Sequence, residues 1–175
     1  AMAATAQAAS EYKPVRIALS LTPLSSPYIV ALEKGYFNDV GLAPIVTKVI
    51  GGNRAAKVLF SGEADIATSS ETVVMFHSFK MSDLGIFATF VSSDNDVKLL
   101  ARKDTKIRSL ADLPGHRVGI TQGASSQFFL DHTLMMTGIA KTDIDFIHVD
   151  PESAAAALES GDVDAVAVWE PIACE

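Results

Sequence analysis

The chain repeats itself. Arg16–Ser20 (RIALS) lines up with Arg117–Thr121 (RVGIT), and Ser61–Ala67 (SGEADIA) lines up with Ser160–Val166 (SGDVDAV), at nearly the same separation. In the first pair, a short β-type run leads into a loop rich in Ser and Gly and then a helical stretch. In the second pair, a helix closes on Gly and a strand starts after Asp. Gly ends many helices for a plain backbone reason, but the matched spacing of two independent motifs points to two related βαβ units.

The pattern between these motifs alternates strand and helix, which implies crossover connections and mainly parallel sheets. Strands are expected at Val15–Ser20, Pro44–Val49, Ala64–Thr68, Leu84–Val91, Val97–Arg102, Arg117–Thr121, Asp145–Val149 and Asp164–Val168. Helices are expected at Tyr28–Phe37, opened by Gly51-Gly52-Asn53 and running through Phe60, begun by Ser69-Ser70 and running to about Lys80, at Ile107–Leu113 with Ser109 as its cap, led into by Gly123–Ser126 and running to about Met136, and at Pro151–Glu159. The polar run Ser92–Asp96 separates two β-type segments and reads as a hinge. This gives a tail over residues 1–12, one lobe over 13–93 and a second, partial lobe over 94–175.

Composition narrows the class. Apolar residues make up 49% of 175 residues and charged residues 20%, enough for a packed core and against global disorder. The net charge of -7, without a Lys/Arg cluster, argues against a nucleic-acid partner. No apolar run reaches the roughly 18 residues of a membrane-spanning helix. Cys174 is the single cysteine, so no intramolecular disulfide and no cysteine-based metal cluster is possible. His77, His116, His132 and His148 lack metal-ligand spacing. No cofactor and no metal is expected, and no P-loop, nucleophile elbow or distinctive carboxylate pair marks an enzyme. Ala1–Ser10 is a small-residue stretch that fits either the remnant of a processed export signal or a disordered terminus.

Two α/β lobes joined by a hinge leave a cleft, and parallel sheets bind ligands at the C-terminal ends of their strands. The candidate residues are therefore the loops at Thr22, Ser25 and Ser26, at Thr68, Ser69 and Ser70, and at Thr121, Gln122, Gly123, Ala124, Ser125 and Ser126, with Trp169 and Glu170 after the last strand. Gly123–Ser126 fits an anion site, where free amides and the helix dipole favour a sulfonate, carboxylate or phosphate. It equally fits an ordinary helix cap. Glu71 fits an amine-binding role or simple stabilisation of a helix N-terminus. Trp169 fits stacking on a ligand or packing in the core.

Several segments resemble the substrate-binding proteins of ABC importers, in the group that binds nitrate, taurine, alkanesulfonates and thiamine-precursor pyrimidines. They are LEKGYFNDVGL (Leu32–Leu42), SGEADIA followed by TSSE, LARKDTKIRSLADLPGHRVGITQGASS (Leu100–Ser126) and SGDVDAVAVWEP (Ser160–Pro171). The resemblance covers about Val15 to Pro171. It implies a type II periplasmic-binding-protein-like fold, with two Rossmann-like lobes, a hinge and, at this length, an incomplete second lobe. It further implies an exported, periplasmic or cell-surface protein that binds a small polar or anionic solute without turning it over. Its macromolecular partner would be an inner-membrane ABC permease. Incomplete sheet edges also make self-association an expectation. The alternative is an enzyme or ligand sensor on the same fold. The pyrimidine-synthase branch carries a cysteine-rich motif that this sequence lacks, and Ala1–Lys13 is too short for the helix-turn-helix of a regulator.

Overall fold

The computed structural model describes residues 12–174; the expected tail lies almost wholly outside them. Two sheets form. The first comprises β1 (Lys13–Ser20), β2 (Leu42–Val49) and β3 (Ile66–Ala67), ordered β2-β1-β3 and parallel throughout. The second comprises β4 (Val97–Ala101), β5 (Arg117–Ile120), β6 (Asp145–His148) and β7 (Ala165–Trp169), ordered β4-β7-β5-β6. Only β4 runs antiparallel, against β7.

The repeat seen in sequence is a repeat of register. Ile17 pairs with Ile66 in the first sheet, and Val118 pairs with Ala165 in the second. One residue before each pair, the same ionic clasp forms. The Asp65 carboxylate accepts the Arg16 backbone amide at 2.9 Å and its guanidinium at 2.6 Å. The Asp164 carboxylate accepts the Arg117 amide at 2.9 Å and its guanidinium at 2.8 Å. A charge-assisted fork of this kind fixes which residues of neighbouring strands face each other.

In the second sheet β7 is buried along its whole length. Its side chains alternate between two cores, as the two-residue period of a strand requires. Ala165 and Ala167 join Leu130 and Leu134 on one face; Val166 and Val168 join Val163 and Ala154 on the other. Leu130 and Leu134 come from α5 (Ser125–Thr137), which presents Ser126, Leu130 and Leu134 as one buried stripe at four-residue spacing. Ala154 opens α6 (Ala154–Ser160), which covers the opposite face. A strand with helices on both sides reads as a continuous apolar run, here AVAVW. The first sheet has a smaller core of Ala18, Ala55 and Ala64, with Ala55 supplied by α3 (Gly52–Phe60).

Some expected elements differ. The helix expected over Tyr28–Phe37 is two pieces, α1 (Ser26–Glu33) and the single turn α2 (Tyr36–Asp39). Gly35 sits between them at φ 74°, a left-handed conformation that ends a helix. The helix expected at Ile107–Leu113 is a 3₁₀ turn over Leu110–Asp112, pinned by the Asp112 carboxylate, which accepts the Ser109 amide at 2.8 Å. Pro151–Ser153 likewise forms a 3₁₀ turn ahead of α6. After α4 (Glu71–Ser78), the apolar segment Leu84–Val91 is not a strand. Its composition favours extended backbone, but none of the described strands pairs with it. Ile86 and Phe87 are 62% and 73% exposed. No helix among the described residues is long and apolar enough to cross a membrane.

Candidate functional site

The C-terminal ends of the parallel strands in both sheets converge on one cavity of about 670 Å³. Ser20 from the end of β1, Thr68 just past β3 and Trp169 from the end of β7 all line it. So do the start of α4, at Ser69, Ser70 and Glu71, and the start of α5, at Ala124 and Ser125. The volume lies within the range of small-molecule sites, roughly 300–1,000 Å³. A second cavity of about 360 Å³ lies on the other side of Trp169, lined by Thr121, Gln122, Gly123 and His148 with Arg54 and Lys57.

The N-terminal end of α3 spans from one sheet to the other. The Asn53 side-chain amide donates to the Gln122 carbonyl at 3.0 Å. Arg54 donates to the Asp150 carboxylate at 3.0 Å and to Glu152. Gly52 presses against Ser69, where a β-carbon would stand 3.0 Å from the Ser69 Cα. Ser69 Oγ donates to the Gly52 carbonyl at 3.0 Å.

Two hydroxyls in the larger cavity stand out. Ser20 is 5% exposed and Ser25 is 3% exposed, and both face the cavity. Neither hydroxyl is engaged by another described residue, and neither oxygen is sealed in the interior: both stay open to the cavity. Hydroxyls open to a cavity are free to donate to and accept from whatever occupies it. Other hydroxyls at the strand ends are already engaged. Thr68 Oγ1 accepts the Ser20 amide at 2.8 Å. Ser126 Oγ accepts the Thr121 amide at 3.2 Å, and Thr121 Oγ1 donates to the Val149 carbonyl at 2.9 Å. The Gly123 amide donates to Gln127 Oε1 at 2.8 Å.

The charge at the cavity is one-sided. Glu71, Asp94 and Asp96 line it, and among the described residues no Lys, Arg or His does. Asp96 is held above the usual carboxylate range, chiefly by burial and then by the Glu170 and Glu71 carboxylates, with Lys98 opposing. Burial also pushes the Tyr28 phenol up. The described residues contain no cluster of His, Cys, Asp and Glu arranged to hold a metal ion.

Of the residues expected from sequence, Thr22, Ser25, Thr68, Ser69, Ser70, Ala124, Ser125 and Trp169 come together at the larger cavity. Thr121, Gln122 and Gly123 line the smaller one, which Trp169 shares. Ser26, Ser126 and Glu170 line neither; Ser126 is wholly buried and Glu170 lies 4.0 Å from Lys98 Nζ. Ser20, Tyr28, Asn53 and Asp96 line the larger cavity without having been singled out from sequence. Asn53 had a usable signal: Gly51-Gly52-Asn53 is another strand-to-helix junction rich in Gly.

Residues 22–173 match the family model described as NMT1/THI5 like. The chain belongs to the NMT1/THI5-like family. Among curated relatives, a putative aliphatic sulfonates-binding protein of Escherichia coli (strain K12) is 29% identical over 120 residues, covering 69% of this chain and 38% of the relative. One of the same description from Bacillus subtilis (strain 168) is 27% identical over 173 residues, covering 92% of this chain and 49% of the relative. The chain thus spans about half, or less, of these relatives' lengths. Among solved structures, the alkanesulfonate-binding protein SsuA from Xanthomonas axonopodis pv. citri bound to MOPS superposes with a TM-score of 0.76 at 22% identity, covering 93% of this chain and 56% of that one. The fold is that of the periplasmic binding proteins, and the resemblance read from LEKGYFNDVGL and its companion segments holds at the level of family.

Proposed function

We propose that this chain is the ligand-binding part of a solute-binding component of an ABC importer. It holds a small polar or anionic solute of the sulfonate, taurine or nitrate kind reversibly in the 670 Å³ cavity. The residues before and after the Ser93–Asp94 junction act as the two lobes, and the solute sits between them. One observation carries this reading: Ser20 and Ser25, two largely buried residues at and just beyond the end of β1, present hydroxyls not engaged by other described residues to a cavity that both sheets line. Neutral hydroxyl donors orient an oxyanion without binding it irreversibly. The openings of α4 and α5 add positive dipole ends from each sheet. The names of the relatives support the same class of solute. On this reading the protein is exported, docks on a membrane permease and performs no bond chemistry.

The test is calorimetric titration and thermal shift of the purified chain with alkanesulfonates, taurine, nitrate and pyrimidines. Binding to the native state raises the melting temperature by mass action. A sulfonate that raises it in the unaltered chain, but much less in a Ser20→Ala, Ser25→Ala double variant that still melts cooperatively, supports the reading. A cooperative chain that ignores every sulfonate and nitrate, or detectable turnover of a bound solute, refutes it.

A further inference from the structure

We propose that Arg54, with Asp150 and Glu152, is a latch that holds the two lobes together, so that retention of the solute depends on an ion pair outside the solute's own cavity. The proposal rests on the solute-binding reading above and assigns Arg54 as a positioning residue for that site.

Few polar links join the two halves of the chain. Among the described residues, every hydrogen bond or ion pair between a residue before Ser92 and a residue after Asp96 starts from Asn53 or Arg54. The Asn53 side-chain amide reaches the Gln122 carbonyl at 3.0 Å, and the Arg54 guanidinium reaches the Asp150 carboxylate at 3.0 Å and Glu152 beside it. Both donors stand on a fixed base. They lie in the first turn of α3, whose Ala55 is buried in the core of the first sheet. Gly52 packs on Ser69, whose hydroxyl donates to the Gly52 carbonyl at 3.0 Å. The acceptors lie just past β5 and β6 of the second sheet. Separating the sheets breaks these links, and the links resist that separation.

The latch stands apart from the solute. Arg54 and Asp150 line the smaller cavity, and none of Arg54, Asp150 and Glu152 lines the larger one. It acts on the solute only through the relative position of the sheets. It is also weak: Arg54, Asp150 and Glu152 are 38%, 58% and 39% exposed, so salt screens the pair. A carrier that must release its cargo needs a closed arrangement that is favoured only slightly. A solute that binds the closed arrangement alone is held in proportion to the closed fraction.

Trp169 reports on closure. It is the single tryptophan of the chain, is 6% exposed and rests against Gly51 across the same gap, so opening uncovers it. The experiment measures acrylamide quenching of its fluorescence, and calorimetric binding of ethanesulfonate, at low and high salt. It compares the unaltered 175-residue chain with Arg54→Ala and with the double variant Asp150→Ala, Glu152→Ala. Both variants should show more quenching and hold ethanesulfonate about two- to fivefold more weakly. Arg54→Lys should recover part of the loss. Arg102→Ala, which removes an ion pair within the second half, should change neither quantity. High salt should raise quenching in the unaltered chain and not in the variants; that arm stands even if a variant fails to melt cooperatively. The double variant separates the latch from long-range charge, because removing two negative charges would by itself tighten an anion. Tighter binding in the double variant overturns the proposal and leaves the solute-binding reading intact. So does quenching that neither salt nor any substitution changes, or quenching that rises while binding stays the same. If ethanesulfonate does not bind the unaltered chain, the sulfonate reading falls and the retention claim with it, while quenching still decides whether Arg54 holds the lobes together.

Discussion

The indole of Trp169 lies against Gly51, so close that a β-carbon on that glycine would stand 3.2 Å from the ring's Cζ2. Trp169 ends β7, an inner strand of the second sheet, and Gly51 follows β2, an outer strand of the first. The contact ties the two sheets beside the cavity. Gly51 also has φ 86°, where a side chain is strained. Gly51→Ala should therefore destabilise the chain by about 1–3 kcal/mol. Urea denaturation followed by tryptophan fluorescence reads both the loss and any change around the indole. An unchanged midpoint would show that the loop relaxes freely.

Arg54 bridges the sheets through Asp150 and Glu152, with each partner more than a third exposed. Exposed ion pairs contribute little, so Arg54→Ala should cost no more than about 1 kcal/mol. The difference between wild type and variant should shrink as salt rises, because screening removes what the pair supplies. Denaturation midpoints at low and high ionic strength check this. A large, salt-independent loss would mean that Arg54 acts by packing.

Acid should loosen both clasps. Hydrogen bonds from Arg16 hold the Asp65 carboxyl down at about 2, and Arg117 depresses Asp164 in the same way. A carboxyl whose folded value lies below its unfolded one stabilises the fold above the unfolded value. That contribution disappears as pH falls through the folded value. Stability should therefore drop between about pH 4 and pH 2, the interval set by Asp65 and its ordinary value. Asp65→Asn should be less stable at neutral pH and show a shallower drop on acidification. Thermal melts across that interval decide the matter; parallel curves for the two proteins would exclude the clasp as the cause.

The amides at the two strand ends depend on single hydroxyl acceptors, Thr68 for Ser20 and Ser126 for Thr121. Thr68→Val and Ser126→Ala should each leave a buried N–H unpaired and cost about 1–3 kcal/mol. Hydrogen exchange should accelerate at the Ser20 amide in the first variant and at the Thr121 amide in the second. Unchanged protection at these amides would show that another acceptor takes over.

Much of this architecture was readable in advance, because it rests on local patterns. AVAVW announces a strand buried on both faces, and the paired RIALS and RVGIT motifs announce two related units with an Arg at the same register. Leu84–Val91 was misread because a strand needs a partner, and no property of the eight residues alone supplies one. The break at Gly35 was missed because the apolar spacing continues through it, although Ile29 and Tyr36 are exposed rather than packed. Ser and Thr at strand ends were visible as site candidates. Which hydroxyls are already taken was not: Ser126 is engaged by an amide five residues earlier in sequence, and Asn53 matters because the fold brings it to the Gln122 carbonyl.

The placement of β7 has a consequence for how the chain assembles during synthesis. The first sheet is centred on β1, the earliest of the described strands, so β2 and β3 can add to an existing template as they emerge. In the second, the inner strand β7 is the latest, and β4 has no sheet partner until it arrives. Residues 97–148 must therefore wait on the ribosome with β4 unpaired and both apolar layers open until Ala165–Trp169 is made. During that interval the second sheet's apolar layers meet solvent in a way that the first sheet's do not.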